Sequence, residues 1–109
     1  MSWSIDYYSE RVRQDVEGLP VGIRAAYARL AVLLMEFGLG LRMPHSRSMG
    51  DGLFELRPRG PEGIARVMYC TKIGRRIVIL HVFIKKTQKT PKRDLEIARH
   101  RQREVAKNE

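Results

Sequence analysis

The sequence predicts an α+β fold in which a helical hairpin packs on a small, mainly antiparallel sheet. Three observations predict it. Apolar residues recur at spacings of three and four between positions 21 and 38. Three runs rich in β-branched and aromatic residues follow between 53 and 86, separated by turn residues. The stretch after Thr90-Pro91 then returns to helix-forming composition. The predicted order is β-α-α-β-β-β-α, and a length of 109 residues predicts one domain over 1–109.

Each element has its own signal. WSIDYYS alternates and reads as a short strand. Ser9 is placed to start a polar helix, SERVRQDVEG, which Gly18 ends, and Leu19-Pro20 marks the next boundary. In VGIRAAYARLAVLLMEFG, the residues Ile23, Ala26, Tyr27, Leu30, Leu33, Leu34 and Phe37 form one stripe, and Gly38 and Gly40 stop the helix. The segment 39–52 has little pattern and reads as a loop. LFELRP (53–58), IARVMYCTK (64–72) and RRIVILHVFIKK (75–86) read as strands, joined by hairpins at RGPEG and IGRR.

Alternation assigns their faces. Phe54 and Leu56, then Ala65, Val67 and Tyr69, then Val78, Leu80, Val82 and Ile84 are expected to face the helices. Glu55 and Arg57, Arg66, Met68 and Cys70, and Ile79, His81, Phe83 and Lys85 are expected on the opposite, outward face. A basic C-terminal helix is expected at about 91–106. Its apolar residues are sparse (Leu95, Ala98 and Val105, with Ile97 off the stripe), so it is expected to pack loosely, fray or order only on a partner.

Composition narrows the function. Residues 1–56 hold six basic and seven acidic side chains, whereas 57–109 hold fifteen basic and five acidic. That second-half excess favours a polyanionic partner, chiefly nucleic acid. Cys70 is the single cysteine, so an internal disulfide and a zinc-finger ligand set are excluded and a reducing, cytoplasmic setting is expected. The N-terminal residues carry acids and no apolar signal-like stretch, and AVLLM and IVILHVFI are too short to span a bilayer, so no membrane role is expected. No Asp/Glu cluster suits divalent cations, so neither metal nor cofactor is expected.

The ELRPRG turn, the R-V-M-Y strand and above all HVFIKKTQKTP, in this order of elements, resemble the RelE/HigB toxin superfamily, and within it the phage-derived HigB-like branch. The resemblance spans roughly residues 2 to 105. It implies a RelE-like fold and a type II toxin that cleaves messenger RNA on the ribosome as a metal-independent endoribonuclease. It further implies a cognate helix-turn-helix antitoxin, HigA-like, through which the pair binds operator DNA. The rival readings are a ParE-like gyrase inhibitor on the same fold and a non-catalytic nucleic-acid-binding protein of a phage or mobile element.

Cleaving RNA without metal needs a base for the ribose 2′-hydroxyl, positive charge for the transition state and an acid for the leaving oxygen. Arg57 and Arg66 share outward parity on adjacent strands and can converge on one phosphate. The resemblance gives Arg66 the catalytic arginine position and puts a second basic position at the end of the third strand, where Lys85 has the matching parity. His81 is a further candidate acid or base. Lys86, Lys89, Lys92, Arg93 and Arg47 are candidate RNA-binding residues. Tyr69 and Cys70 read as structural, and His45 and His100 as ordinary surface residues, His45 at most at the rim of the site. A tyrosine that some relatives carry in the C-terminal segment is missing here.

Overall fold

The computed structural model describes residues 2–86 and 88–109. The chain runs β1 (Ser4–Tyr7), α1 (Glu10–Glu17), α2 (Val21–Phe37), a 3-10 turn (Gly38–Gly40), β2 (Ser46–Gly50), β3 (Leu53–Leu56), β4 (Arg59–Gly60), β5 (Gly63–Lys72), β6 (Arg76–Ile84) and α3 (Lys92–Lys107). The fold is α+β. Strands lie in the order β1-β6-β5-β3-β2, with β4 paired to β5 off this path. All pairs are antiparallel except β1 with β6. Two elements are additions to the predicted order. β2 forms inside the segment expected to be a loop, and β4 makes the RGPEG turn a tight hairpin in which Arg59 pairs with Ile64.

The helical hairpin forms as its signals dictate. The Ser9 hydroxyl accepts from Val12 N at the start of α1, and Gly18 closes that helix. α2 begins after Pro20, which offers no side-chain cap, and Glu62 from the β4–β5 turn supplies the missing acceptors: its carboxylate takes Gly22 N at 2.8 Å and Ile23 N at 3.2 Å. The approach is close enough to require glycine at position 60, where a Cβ would lie 2.5 Å from Ile23 N. Val12, Val16, Ile23, Tyr27, Leu30 and Leu34 pack on Leu56, Ala65, Val67, Tyr69, Ile77 and Ile79. Each large apolar side chain fully buried there contributes roughly 1.5–3 kcal/mol. Phe37, expected on this stripe, is the last residue of α2 and is 51% exposed.

The other face of the sheet is covered as well. Leu53, Met68, Cys70, Val78 and Leu80 pack around Ala98 of α3, with Leu95 and Val105 alongside. The outward solvent face inferred from alternation is therefore a second core, and the reading of β6 is corrected. Ile77, Ile79 and Val82 face the hairpin, whereas Val78, Leu80 and Phe83 face α3. Ile84 is 38% exposed instead of buried. The cause is a bulge: Met68 pairs with His81 and Tyr69 with Ile79, so Leu80 is an extra residue that shifts the alternation. With both faces apolar, parity alone carries no mark of which helix layer a residue meets.

α3 compensates for its few apolar residues with polar anchors. Arg99 donates to Met49 O at 2.8 Å and Gly50 O at 2.9 Å, and Gln102 donates to Asp51 O at 2.7 Å. Arg101 reaches Leu80 O at 2.7 Å while its guanidinium lies 5.0 Å above the Tyr8 ring. The Tyr8 hydroxyl donates to Glu104. These contacts use backbone carbonyls at the β2–β3 turn and at the β6 bulge, and they hold the helix without a broad apolar stripe. Among the described residues, no single helix is long and apolar enough to cross a membrane.

Candidate active site

Strands β2, β3, β5 and β6 bring basic side chains to one end of the α3 side of the sheet. Arg47 pairs across strands with Glu55, and Glu55 with Met68, so these side chains share a face. Arg57 follows Glu55 by two residues and keeps that side. Arg66 is the cross-strand partner of Phe83. Lys85 continues the β6 ladder by donating its N–H to Ile64 O at 2.7 Å. Arg57, Arg59 and Arg66 line a cleft of about 350 Å³ with Met43, Pro44, His45 and Ile64.

Arg66 is not a solvated surface arginine. Its side chain is 3% exposed, with Nε 3.2 Å from Glu55 Oε1 and Nη1 donating to Ala65 O at 3.0 Å. The Nε–carboxylate approach pairs the charges without aligning a hydrogen bond, and among the described residues this buried Nε has no hydrogen-bond acceptor. Burial pulls the Arg66 pKa down, Glu55 opposes that pull, and Arg57, Arg59 and Arg47 add to it. Lys85 is held below the usual lysine range by desolvation first, and then by Arg66 and Arg57. The electrostatics thus report a cluster of cations around one buried carboxylate, in which positive charge outnumbers negative.

The remaining candidates separate. Arg57 is half-buried, and its Nη1 contacts Met43 Sδ at 3.1 Å. His81 is drawn away from the cleft: its Nε2 lies 2.7 Å from Asp94 Oδ1, and its ring stacks on Phe83 with centroids 5.8 Å apart. It ties β6 to α3. Lys86, Lys89, Lys92 and Arg93 are exposed beyond the end of β6 and at the start of α3, outside the cleft, and Lys92 lies 3.9 Å from Glu96. Thr87 of the KKTQKTP run lies outside the described residues. Tyr69 is buried with its hydroxyl on Ser46, and Cys70 is buried, its thiol pushed up to about 11 by desolvation. No group of three or more His, Cys, Asp and Glu among the described residues is arranged to hold a metal ion.

Sequence reasoning misses two participants, Glu55 and Arg59. Glu55 reads in the sequence only as an outward strand residue, yet it carries the buried negative charge and also accepts from Thr90 Oγ1 at 2.7 Å. That bond ties Thr90 to the buried carboxylate. Arg59 and His45 line the cleft, and the His45 carbonyl accepts from Arg57 N at 3.0 Å. The legible signal is the i, i+2 spacing of Glu55, Arg57 and Arg59.

A family model described as "Phage derived protein Gp49-like (DUF891)" matches residues 14–103, which take in the cleft and most of α3. The chain belongs to the Gp49-like family. That family falls within the RelE/HigB-like group of toxin–antitoxin toxins. No curated protein matches the Gp49-like chain significantly.

Proposed function

We propose that this Gp49-like chain is the toxin of a type II toxin–antitoxin pair, of the HigB-like kind, and that it cleaves messenger RNA on the ribosome in the cytoplasm. One observation carries the reading. Arg57, Arg59 and Arg66 line one cleft, and the charges of Arg57, Arg66 and Arg47 all act on the neighbouring Lys85. A phosphate is the anion that such a cluster of guanidinium and ammonium groups fits.

The chemistry then follows from the residues. The ribose 2′-hydroxyl loses its proton, its oxygen attacks the adjacent phosphorus, and the bond from phosphorus to the 5′-oxygen breaks. The leaving oxygen takes up a proton, which gives a 2′,3′-cyclic phosphate and a 5′-hydroxyl end. Arg57 and Arg66 bear the charge that develops on the phosphoryl oxygens. Lys85 is the group fitted to move a proton, because desolvation first, and then its cationic neighbours, favour the neutral amine. No metal or cofactor enters this scheme. Lys86, Lys89, Lys92, Arg93 and Arg47 hold the RNA backbone. A cognate HigA-like antitoxin with a helix-turn-helix domain neutralises the toxin and carries it to operator DNA.

The test is cleavage of mRNA on translating ribosomes by purified protein, with naked RNA as the control. Discrete ribosome-dependent cuts bearing 5′-hydroxyl ends support the reading. Stalled gyrase and broken DNA, without RNA cuts, would support the ParE-like alternative.

A further inference from the structure

A second recess lies round the edge of β2 from the cation cleft. It encloses about 490 Å³, and Met43 lines both spaces. Its floor is Phe54, half-buried on the hairpin side of β3, whose ring stacks on Tyr69 with centroids 5.5 Å apart and planes 20° from parallel. Tyr69 is itself 1% exposed and tied through its hydroxyl to Ser46, so the Phe54 ring is backed by an immobile partner. Leu39 and Met43, at 49% and 59% exposure, leave the apolar wall open to solvent. Arg42 and Arg47 line it together with Leu41, Ser46 and Ser48, and no acidic residue is among them.

These features discriminate among occupants. An apolar peptide segment would be served by Leu39, Leu41 and Phe54 but gives the two arginines nothing to pair with. A flat, uncharged ring flanked by anionic groups satisfies both halves of the site: the ring stacks over Phe54 and the anions meet Arg42 and Arg47. Arg47 also connects the recess to the cleft, because its charge acts on both Arg66 and Lys85. We infer that the Phe54 groove takes one unpaired nucleobase of the RNA strand whose phosphate occupies the cation cleft, with the strand turning round the edge of β2. This inference rests on the nuclease reading and extends it to a base subsite.

Two arms test it separately from that reading. In the first, a single-stranded RNA carrying 2-aminopurine is titrated with the protein, and no cleavage is needed. Quenching by wild type that is lost in Phe54→Leu and in Leu39→Glu supports the groove. Leu39→Glu changes an exposed wall position, so it holds the test open should Phe54→Leu fail to fold. No quenching by wild type, or equal quenching in both variants, overturns the inference. In the second arm, single-turnover cleavage on programmed ribosomes is compared for intact mRNA and for mRNA with an abasic residue at each position flanking the cut. The expected result is a loss of about tenfold in kcat/KM for one abasic position with wild type, and no additional loss from it in Phe54→Leu. Equal abasic penalties in wild type and Phe54→Leu overturn the groove while wild-type cleavage of intact mRNA stands. Loss of antitoxin binding in Leu39→Glu with quenching unchanged assigns the recess to a protein partner and also overturns it.

Discussion

Arg66 and Glu55 form an ion pair in the interior of the sheet's α3 side, Nε 3.2 Å from Oε1, with the two side chains 3% and 2% exposed. Thr90 supplies a hydrogen bond to the other carboxylate oxygen, whereas the arginine Nε is left without an aligned acceptor. The pair is incompletely satisfied on its cationic side. Removing one partner strands the other charge in low dielectric, at a cost of about 3–5 kcal/mol. Arg66→Ala is therefore expected to abolish growth arrest and to destabilise the protein as well. Combining Arg66→Met with Glu55→Gln is expected to recover a large part of that stability without restoring toxicity. Urea denaturation of the single and double variants measures the coupling; additive losses would show that the two charges do not depend on each other.

Lys85 is expected to control turnover. Lys85→Gln should lower the single-turnover rate at saturating ribosomes by at least about 100-fold and leave ribosome affinity nearly unchanged. Its ammonium is depressed from the ordinary 10.5 by desolvation and by Arg66 and Arg57. As the base, it acts in the neutral form, so the wild-type rate should rise with pH, with the midpoint of the rise below 10.5. A pH–rate profile with the same rising limb in Lys85→Gln would remove Lys85 from the proton-transfer step.

The exposed cations at and before α3 should behave in the opposite way. Replacing Lys89, Lys92 and Arg93 with Gln is expected to weaken RNA binding and flatten its salt dependence, by about 0.7 in log–log slope for each single-strand phosphate that is no longer neutralised. Turnover of bound substrate should stay close to wild type. Binding measured across a salt series checks this, and an unchanged slope would place these residues away from the RNA.

Glu62 joins the β4–β5 turn to the first turn of α2. Its carboxyl pKa is lowered by the Gly22 N–H, with further help from the Ile23 N–H. A depressed carboxylate stabilises the fold above its unfolded value of about 4.5 and loses that contribution as pH falls through the lower folded value. Glu62→Ala should thus reduce the thermal midpoint at neutral pH, and the difference from wild type should shrink in acid. Thermal melts at neutral and at strongly acidic pH test this, and a pH-independent difference would contradict the capping role.

The helical hairpin is legible in the sequence because its stripe, Ser9 cap and glycine stops all agree. The β5–β6 hairpin is legible because IGRR sits between two strongly β-prone runs. β2 is not, since Ser46–Gly50 is an edge strand with polar residues on both sides and therefore lacks alternation. The docking of α3 is hidden for a different reason: Arg99, Arg101 and Gln102 hold it through carbonyls whose positions depend on the β2–β3 turn and the β6 bulge. The cations of the site can be placed from spacing, but the burial of Arg66 cannot, because it depends on the pairing with Glu55 and on the neighbouring strand's Phe83.

Whether the Arg57 and Arg66 cleft, with the neighbouring Lys85, cuts mRNA held by the ribosome is decided by mapping 5′ ends on a defined mRNA. The mRNA is incubated with translating ribosomes and purified wild type, Arg57→Gln or Lys85→Gln, beside the same mRNA without ribosomes. Discrete new ends are expected with wild type on ribosomes only, with a loss of at least about 100-fold in both variants. Equal cutting of ribosome-free RNA, or undiminished cutting by the two variants, would contradict the assignment.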